Sequence, residues 1–216
     1  RLEDDAMRNI KKIAAVILIV TAALLIIKLI PSKSYTASEL GLTELCSPLD
    51  ADGDKIDDWH DIMLGARAYI ETDPSYKSRY YEGGYPDDGY GVCTDVVWQG
   101  FAAAGYDLKS LVDGHIAENP ELYPDEADPN IDFRRVKNLY IFFEHNAQSL
   151  TISTDDPESW QPGDIVVYEN HIALCSDKRN RDGLPFIIHH GPLGAREADE
   201  LESKDIIGHY RWLPDD

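Results

Sequence analysis

The segment of the chain that says most about its architecture reads Tyr90-Gly91-Val92-Cys93-Thr94-Asp95-Val96-Val97-Trp98. After Cys93, apolar residues recur at helical spacing up to Gly105, which predicts a helix with the cysteine in its first turn. Thr94 or Asp95 can accept hydrogen bonds from free backbone N–H groups of that turn. A thiol placed there lies at the positive end of the helix dipole, so we expect a stabilised thiolate and a nucleophile. The alternative is that Cys93 is a small buried apolar residue.

A histidine far downstream is a candidate for the base that a thiol hydrolase needs. A turn at Gly163-Asp164 leads into an apolar strand-like run, and His171 opens a second such run that ends near Leu174. One cysteine and one distant histidine are the minimum that nucleophilic catalysis by a thiol requires. The pair therefore predicts a cysteine hydrolase, and a buried or surface histidine without a role in catalysis is the alternative for His171.

Helical patterns precede strand patterns along the chain, which is the order of an α+β fold. A long loop rich in Pro, Gly and Tyr, at residues 74–91, leads into the Cys93 helix. The predicted helices cover about residues 62–70, 93–105, 108–116 and 131–148, and the predicted strands cover about 165–168, 171–175, 186–190 and 206–212.

These segments resemble a papain-like bacterial superfamily, the NlpC-type cell-wall cysteine peptidases and their CHAP relatives. The resemblance rests on Cys93-Thr94-Asp95, on the turn at residues 160–164, on His171-Ile172-Ala173-Leu174 and on Ile187-Ile188-His189-His190, which occur in the order of that superfamily. The chain resembles more closely an allied bacterial family of unknown function, through residues 130–139 and 208–212. That closer match runs from about Trp59 to Trp212.

The resemblance implies a fold and a reaction. The fold would be papain-like, with N-terminal helices packed on an antiparallel sheet and preceded by an N-terminal hydrophobic helix. His171 would take the proton of Cys93 or hold it as a thiolate–imidazolium pair, and a third polar group would orient His171. His189 is our first choice for that group and His190 the alternative, because neighbouring strand residues face opposite sides. A longer insertion separates Cys93 from His171 than in a minimal NlpC-type domain, so a different cleft is expected.

Two further sets of residues are candidates for binding. Arg134 and Arg135 could clamp a substrate carboxylate, or pair with acidic neighbours of this acidic chain. A zinc site is the competing interpretation of the histidines, although no metal-binding spacing of the His-x-x-x-His or Cys-x-x-Cys type supports it. That site would draw on His171, His189, His190 and His209.

An acidic segment at residues 50–61 has the spacing of a calcium loop. Counted from Asp50, carboxylates fall at positions 1, 3, 5, 9 and 12, and position 7 would offer a backbone carbonyl. Lys55 departs from the pattern, because a glycine usually makes the turn at position 6, and position 12 is Asp instead of Glu. The alternative is an acidic, capped helix start. We expect no cofactor for catalysis and a structural Ca²⁺ held by Asp50, Asp52, Asp54, Ile56, Asp58 and Asp61.

The composition and the N-terminus predict location and domain organisation. The formal net charge of −20 opposes binding to phosphate backbones, so nucleic acid is not an expected partner. Basic residues before an apolar run predict a signal anchor or signal peptide. This segment would contact the membrane, and the domain that follows it would lie outside the cytoplasm. The expected parts are an n-region (1–12), the anchor or signal (13–30), a linker (31–45) and the catalytic domain (46–216). In an exported chain, a Cys46–Cys175 disulfide would leave Cys93 free.

Together these features predict an exported cysteine hydrolase of the bacterial cell envelope, membrane-anchored or secreted. Its expected substrate is a peptide or peptidoglycan-like amide, cut by Cys93, His171 and a polar third residue. Two alternatives stay open. One is a catalytically silent papain-like domain that binds an envelope ligand. The other is an acyltransferase that uses the same cysteine.

Overall fold

The computed structural model describes residues 33–214, and the segments predicted as n-region and anchor lie outside them. From Ser34 onward the chain forms one compact unit. Within the described residues, none of the helices has the length and apolar character needed to cross a membrane.

The helices come first, as the sequence predicts, and two of them cross closely. Helix α1 begins after the extended residue Asp57 and carries two acidic residues in its first turn, where the helix dipole favours them. Helix α2 packs on α1 so closely that a Cβ on Gly100 would lie 2.5 Å from the carbonyl oxygen of Ile62. The helices are α1 (Asp58–Glu71), α2 (Cys93–Ala103), α3 (Leu108–Glu118) and α4 (Val136–Asn146).

The fourth helix is shorter than the sequence pattern suggests. Residues 131–148 were expected to form one helix, but the segment opens with a 3₁₀ turn at Asp132–Arg134. Arg135 then adopts an extended conformation before α4 starts. The chain leaves the helix at Ala147 to add a short strand, so the prediction of a single helix is wrong at both ends.

The strands form a six-stranded antiparallel sheet and a separate two-stranded parallel pair. The large sheet has the order β3-β8-β4-β5-β6-β7, so β3 and β7 are its outer strands. The expectation of an α+β fold with helices and an antiparallel sheet is confirmed. The strands are β1 (Ser75–Tyr76), β2 (Tyr90–Gly91), β3 (Gln148–Ser149), β4 (Ile165–Tyr168), β5 (His171–Arg179), β6 (Pro185–Gly191), β7 (Gly194–Ala198) and β8 (Ile206–Arg211).

Each face of the sheet has its own apolar cluster. Ile172, Leu174 and Ile188 pack with the helices in the larger cluster. The residues that alternate with them on β5 and β6 join a second cluster around Trp160, and these are Ala173, Cys175 and Ile187. This alternation follows from the period of two along a strand. Consecutive residues of β5 and β6 therefore face different surroundings.

The segment predicted as a linker packs on the folded unit over its described part. Tyr35 forms an isolated antiparallel bridge with Arg179. The backbone N–H of Leu45 donates to the side chain of Gln161 at 2.9 Å. Because these backbone groups bind the folded unit, residues 34–45 are part of it, and the linker prediction is corrected there.

A buried carboxylate joins the turn before β4 to the last strand. Asp164 is fully buried, and both of its oxygens accept from the guanidinium of Arg211 at 2.7 Å. His209 Nε2 lies 2.9 Å from the same carboxylate, and the backbone N–H of Gln161 donates to it at 2.7 Å. His209 also stacks on Trp160, with ring centroids 3.7 Å apart. One charged network thus ties the turn before β4 to β8.

Replacing Asp164 by Asn should lower the free energy of unfolding by about 3–5 kcal/mol, because Arg211 would be left as a buried and unpaired cation. Urea unfolding followed by circular dichroism measures this change. Asp182→Asn is the matched control, because Asp182 and its neighbour Arg181 are exposed, and its effect should stay within about 0.5 kcal/mol. Equal stability of the two variants would contradict the role given to Asp164.

Candidate active site

The fold brings Cys93 against the first peptide of β5. Cys93 is the first residue of α2, and its side chain is nearly closed off from solvent, with 7% exposed. The backbone N–H groups of Ile172 and Thr94 lie near its thiol and act to lower its pKa. Because Ile172 follows His171 directly, the thiol lies beside the backbone of the predicted catalytic histidine. The ring of His171, however, lies on the other face of β5, with Tyr168 and His189, whereas Cys93 packs in the cluster on the helix face.

Burial controls the ionisation of this thiol. Burial raises the pKa of Cys93, and the N–H groups of Ile172 and Thr94 act in the opposite direction without offsetting it. The nearby charge of Asp95 raises it further. The expectation of a thiolate stabilised at the helix start is therefore wrong for the protein at rest, since desolvation outweighs the donors at the helix N-terminus.

His171 and His189 form a directly bonded pair. Nε2 of His171 lies 2.9 Å from Nδ1 of His189, and the two rings are nearly perpendicular. Burial lowers the pKa of each to about 3, and the charges of Arg196 and Lys204 act in the same direction. Both imidazoles are therefore neutral from mildly acidic pH upward.

Strand alternation separates His190 from that pair. His190 lies on the sheet face covered by the helices, where its Nδ1 is 3.1 Å from the hydroxyl of Tyr69. The edge of the Tyr76 ring meets it with centroids 5.4 Å apart. A charge on Cys93 would contribute to raising the pKa of both tyrosines, so they flank the thiol on this side. Of the two candidates for the third residue, His189 contacts His171 and His190 does not.

Glu200 extends the histidine pair, and sequence reasoning missed it. Its Oε2 lies 3.3 Å from Nε2 of His189, although this nitrogen lacks a hydrogen bond of good geometry. Arg196 donates to the same carboxylate at 2.7 Å and holds it in place. Arg196 belongs to β7, a strand that the sequence analysis did not predict because its residues, Gly-Ala-Arg-Glu-Ala, carry little strand signal. Glu200 lies in the turn after β7, where its N–H donates to the carbonyl of Ala198 at 2.9 Å, so no local sequence pattern indicates its role.

Arg134 lies inside the protein and does not face a substrate. Its Nε and Nη2 donate to the two oxygens of Asp95 at 2.7 and 2.9 Å, and both side chains are almost completely buried. Arg135 donates to Asp132 at 2.7 Å. Both arginines therefore pair with acidic neighbours, which was the alternative to a clamp for a substrate carboxylate.

The structure does not assemble the zinc site considered for the histidines. Both ring nitrogens of His209 are engaged, with Asp164 and with the carbonyl of Thr151 at 2.7 Å. Within residues 33–214, two groups have ligand atoms close enough to share a metal. One is Asp50, Asp52 and Asp54, and the other is Cys46, Asp57 and His60, which the sequence analysis did not consider.

The three cysteines are all free, so the Cys46–Cys175 disulfide that the sequence left open does not form in this structure. Cys46 is exposed, whereas Cys175 is fully buried in the cluster around Trp160. Cys175 therefore serves packing.

The surface beside α2 is more open than the candidate site itself. A cleft of about 560 Å³ is lined by Tyr69, Tyr90, Asp95 and Trp98 among others, and Cys93 does not line it. Two other clefts of the described chain, of about 430 and 740 Å³, are also lined by other residues. Access to the thiol is therefore narrow in this structure.

Comparisons with known proteins place the chain in a sequence family. The family described as "Domain of unknown function (DUF1287)" matches residues 63–212. The uncharacterized protein YijF of Escherichia coli (strain K12) is 37% identical over 166 residues, which cover 70% of this chain and 80% of that protein. No solved structure gives a significant match.

Alkylation of Cys93 by iodoacetamide should be slow at pH 6 and should accelerate about tenfold for each pH unit up to pH 9. Only the thiolate reacts, and burial raises the pKa of this thiol. Mass spectrometry of peptides after timed labelling measures the rate. Exposed Cys46 is the internal control and should label faster at each pH. A pH-independent rate for Cys93 near pH 6 that disappears in His171→Ala would instead indicate a thiolate–imidazolium pair.

Proposed function

The chain belongs to the DUF1287 family, and we propose that it is an exported cysteine hydrolase that cleaves an amide or peptide bond in the cell envelope. One observation carries the proposal: Cys93 begins α2 and packs in the same cluster as Ile172 of β5, the strand that begins with His171, and the His171 ring is bonded to His189. A nucleophile, a neighbouring base and a group that orients the base are the three parts of a catalytic triad.

The direction of the hydrogen bonds follows from the proposed role of His171. If Nδ1 of His171 is the base, its proton must sit on Nε2, which then donates to Nδ1 of His189. The proton of His189 lies on Nε2, which faces the carboxylate of Glu200 at 3.3 Å. Glu200 would thus stabilise the charge that spreads over the pair when His171 gains a proton.

The reaction proceeds from neutral groups, because burial raises the pKa of Cys93 and lowers that of His171. As the thiol attacks the carbonyl carbon of the amide, its proton passes to His171, whose ring must turn from the outer face of the sheet towards Cys93. Backbone N–H groups at the start of α2 stabilise the oxyanion. His171 then passes its proton to the leaving amine, and water hydrolyses the acyl-enzyme to a carboxylic acid and free Cys93.

The architecture supports the resemblance to NlpC-type papain-like peptidases. A helix that begins with cysteine packs on an antiparallel sheet, one strand begins with His171, and the next strand carries His189. This is the order that the resemblance implies. The papain-like fold is thus part of the proposal, as is a peptide of peptidoglycan as substrate.

Export rests on the sequence of the N-terminus. Basic residues at 8–12 precede the apolar run at 13–30, a pattern typical of a signal anchor or signal peptide. Membrane attachment through that run and a location in the cell envelope follow from it as proposals. The net charge of −20 continues to argue against nucleic acid as a partner.

One observation favours a second candidate, a papain-like domain that binds an envelope ligand without catalysis. The thiol is 7% exposed, its pKa is raised, and it does not line a described cleft. These properties suit a core cysteine as well as a protected nucleophile. Acyl transfer would use the same residues as hydrolysis, with an amine in place of water.

The proposed hydrolase should release new muropeptides when the full chain is incubated with purified peptidoglycan. Cys93→Ser should lower the release by a factor of about 10³ or more, because the nucleophile is lost. Cys46→Ser, at an exposed cysteine, is the matched control and should leave it unchanged. Liquid chromatography with mass spectrometry measures the products. A folded wild-type chain without release would favour the binding domain, and fragments joined to an added amine would favour acyl transfer.

The orienting role of His189 predicts different effects of two substitutions. His189→Ala should lower kcat by about 10²–10³, since His171 loses the acceptor that fixes its tautomer. His189→Asn should retain more activity, because its amide oxygen can accept from Nε2–H of His171. His145→Asn, on α4 and away from the histidine pair, is the control. Equal losses in the two His189 variants, measured as peptide release at saturating substrate, would rule out the orienting role.

A further inference from the structure

We propose that Cys46, Asp57 and His60 bind one zinc ion, which joins the segment before α1 to the first turn of that helix. The thiol, a carboxylate oxygen and a ring nitrogen of these residues all lie within 4.8 Å of one another. None of the three belongs to the candidate active site, and all precede the region that matches the DUF1287 family. The proposal is therefore independent of the proposed hydrolase.

The chemistry of the three ligand atoms indicates zinc. Zn²⁺ binds cysteine sulfur, histidine nitrogen and carboxylate oxygen, whereas Mg²⁺ and Ca²⁺ take oxygen ligands. The acidic segment at residues 50–61 differs in this respect, because three of its six predicted calcium ligands converge and these offer oxygen atoms alone. A set that combines sulfur, nitrogen and oxygen selects a softer ion than calcium.

The backbone on both sides of Cys46 is already held in place. The N–H of Ser47 donates to Oδ1 of Asp57 at 2.7 Å, which joins the two segments that supply the ligands. On the other side, the N–H of Leu45 donates to the side chain of Gln161 at 2.9 Å. The thiol itself is exposed, so an ion can reach it from solvent. Zinc would thus meet a preformed set of ligands, and binding would require little ordering of the chain.

Asp57 has a carboxylate that the helix does not use. An Asp directly before a helix usually accepts from the first backbone N–H groups of that helix, but the side chain of Asp57 makes no such bond with α1. Its Oδ2 lies instead 2.6 Å from Nδ1 of His60, three residues later. An acidic residue three positions before a histidine is a ligand pair that helical metal sites use. On one tetrahedral ion the two atoms would lie roughly 3.4 Å apart, so a small rotation of the side chains admits the metal.

Glu44 provides the outer partner that zinc-binding histidines have in other proteins. Its Oε1 lies 3.4 Å from Nε2 of His60, at the opposite edge of the ring from Asp57. When Nδ1 binds zinc, the ring proton must lie on Nε2, which can donate it to Glu44. His60 is the basic partner of both carboxylates. Since a neutral imidazole does not balance two carboxylates and a thiolate, a divalent cation would offset the negative charge of the cluster.

Calorimetric titration of the full chain with ZnCl₂ should show one saturable site, with an affinity that rises with pH because the thiol must lose its proton. A Zn²⁺ concentration about a hundred times Kd should raise Tm by about 5–10 °C. Cys46→Ser and His60→Asn should each weaken binding by a factor of about 100 or more, and Glu44→Gln by about tenfold. His145→Asn, at an exposed histidine of α4, is the matched control and should bind as the wild type does.

Titration with CoCl₂ tests whether the thiol of Cys46 is a ligand, because Co²⁺ takes the same ligands as zinc and absorbs in the near ultraviolet when a thiolate binds it. Cys46→Ser should abolish this band, and His145→Asn should retain it. No zinc binding by the wild-type chain would overturn the proposal, as would unchanged binding in Cys46→Ser and His60→Asn or a cobalt band that survives Cys46→Ser. Displacement of zinc by excess Mg²⁺ would overturn the choice of metal. None of these readings depends on peptide release, so failure here leaves the proposed hydrolase intact.

Discussion

The buried ion pair between Asp95 and Arg134 is the constraint on which the candidate site depends. Asp95 lies two residues after Cys93 and accepts from Arg134 through both of its oxygens. It also accepts from the N–H of Val92 at 2.7 Å and from the indole of Trp98 at 2.8 Å. The first turn of α2 is thereby fixed from both sides. Since loss of one partner leaves a buried charge uncompensated, the position of the thiol and the stability of the fold are linked.

Local patterns were sufficient to predict much of the architecture. The apolar spacing after Cys93 predicted α2, and the glycine at 105 ends it with a left-handed φ of +82°. The strand runs that begin at residues 165 and 171 were also correct, because buried strands carry continuous apolar sequence. The short outer strand β7 and the break at Arg135 were missed, since tertiary contacts and not local sequence determine them.

The arrangement of the histidines could be predicted from the sequence, but the ionisation of Cys93 could not. Alternation along β6 correctly implied that only one of His189 and His190 meets His171. The ionisation of Cys93 could not be derived, because the helix start favours a thiolate while the burial that raises its pKa depends on the whole fold. The ion pair of Arg134 could not be derived either, because its partner, Asp95, lies 39 residues earlier in the chain.

The outer strands of the sheet have a consequence for the behaviour of the protein in concentrated solution. An exposed strand edge can pair with the edge of another molecule and start aggregation. At one edge β3 has only two residues. At the other, β7 carries Arg196 and Glu197, and Glu197 is held by Arg67 and Lys178. An incoming strand would have to accommodate these fixed charges, so the sheet resists growth by edge-to-edge association.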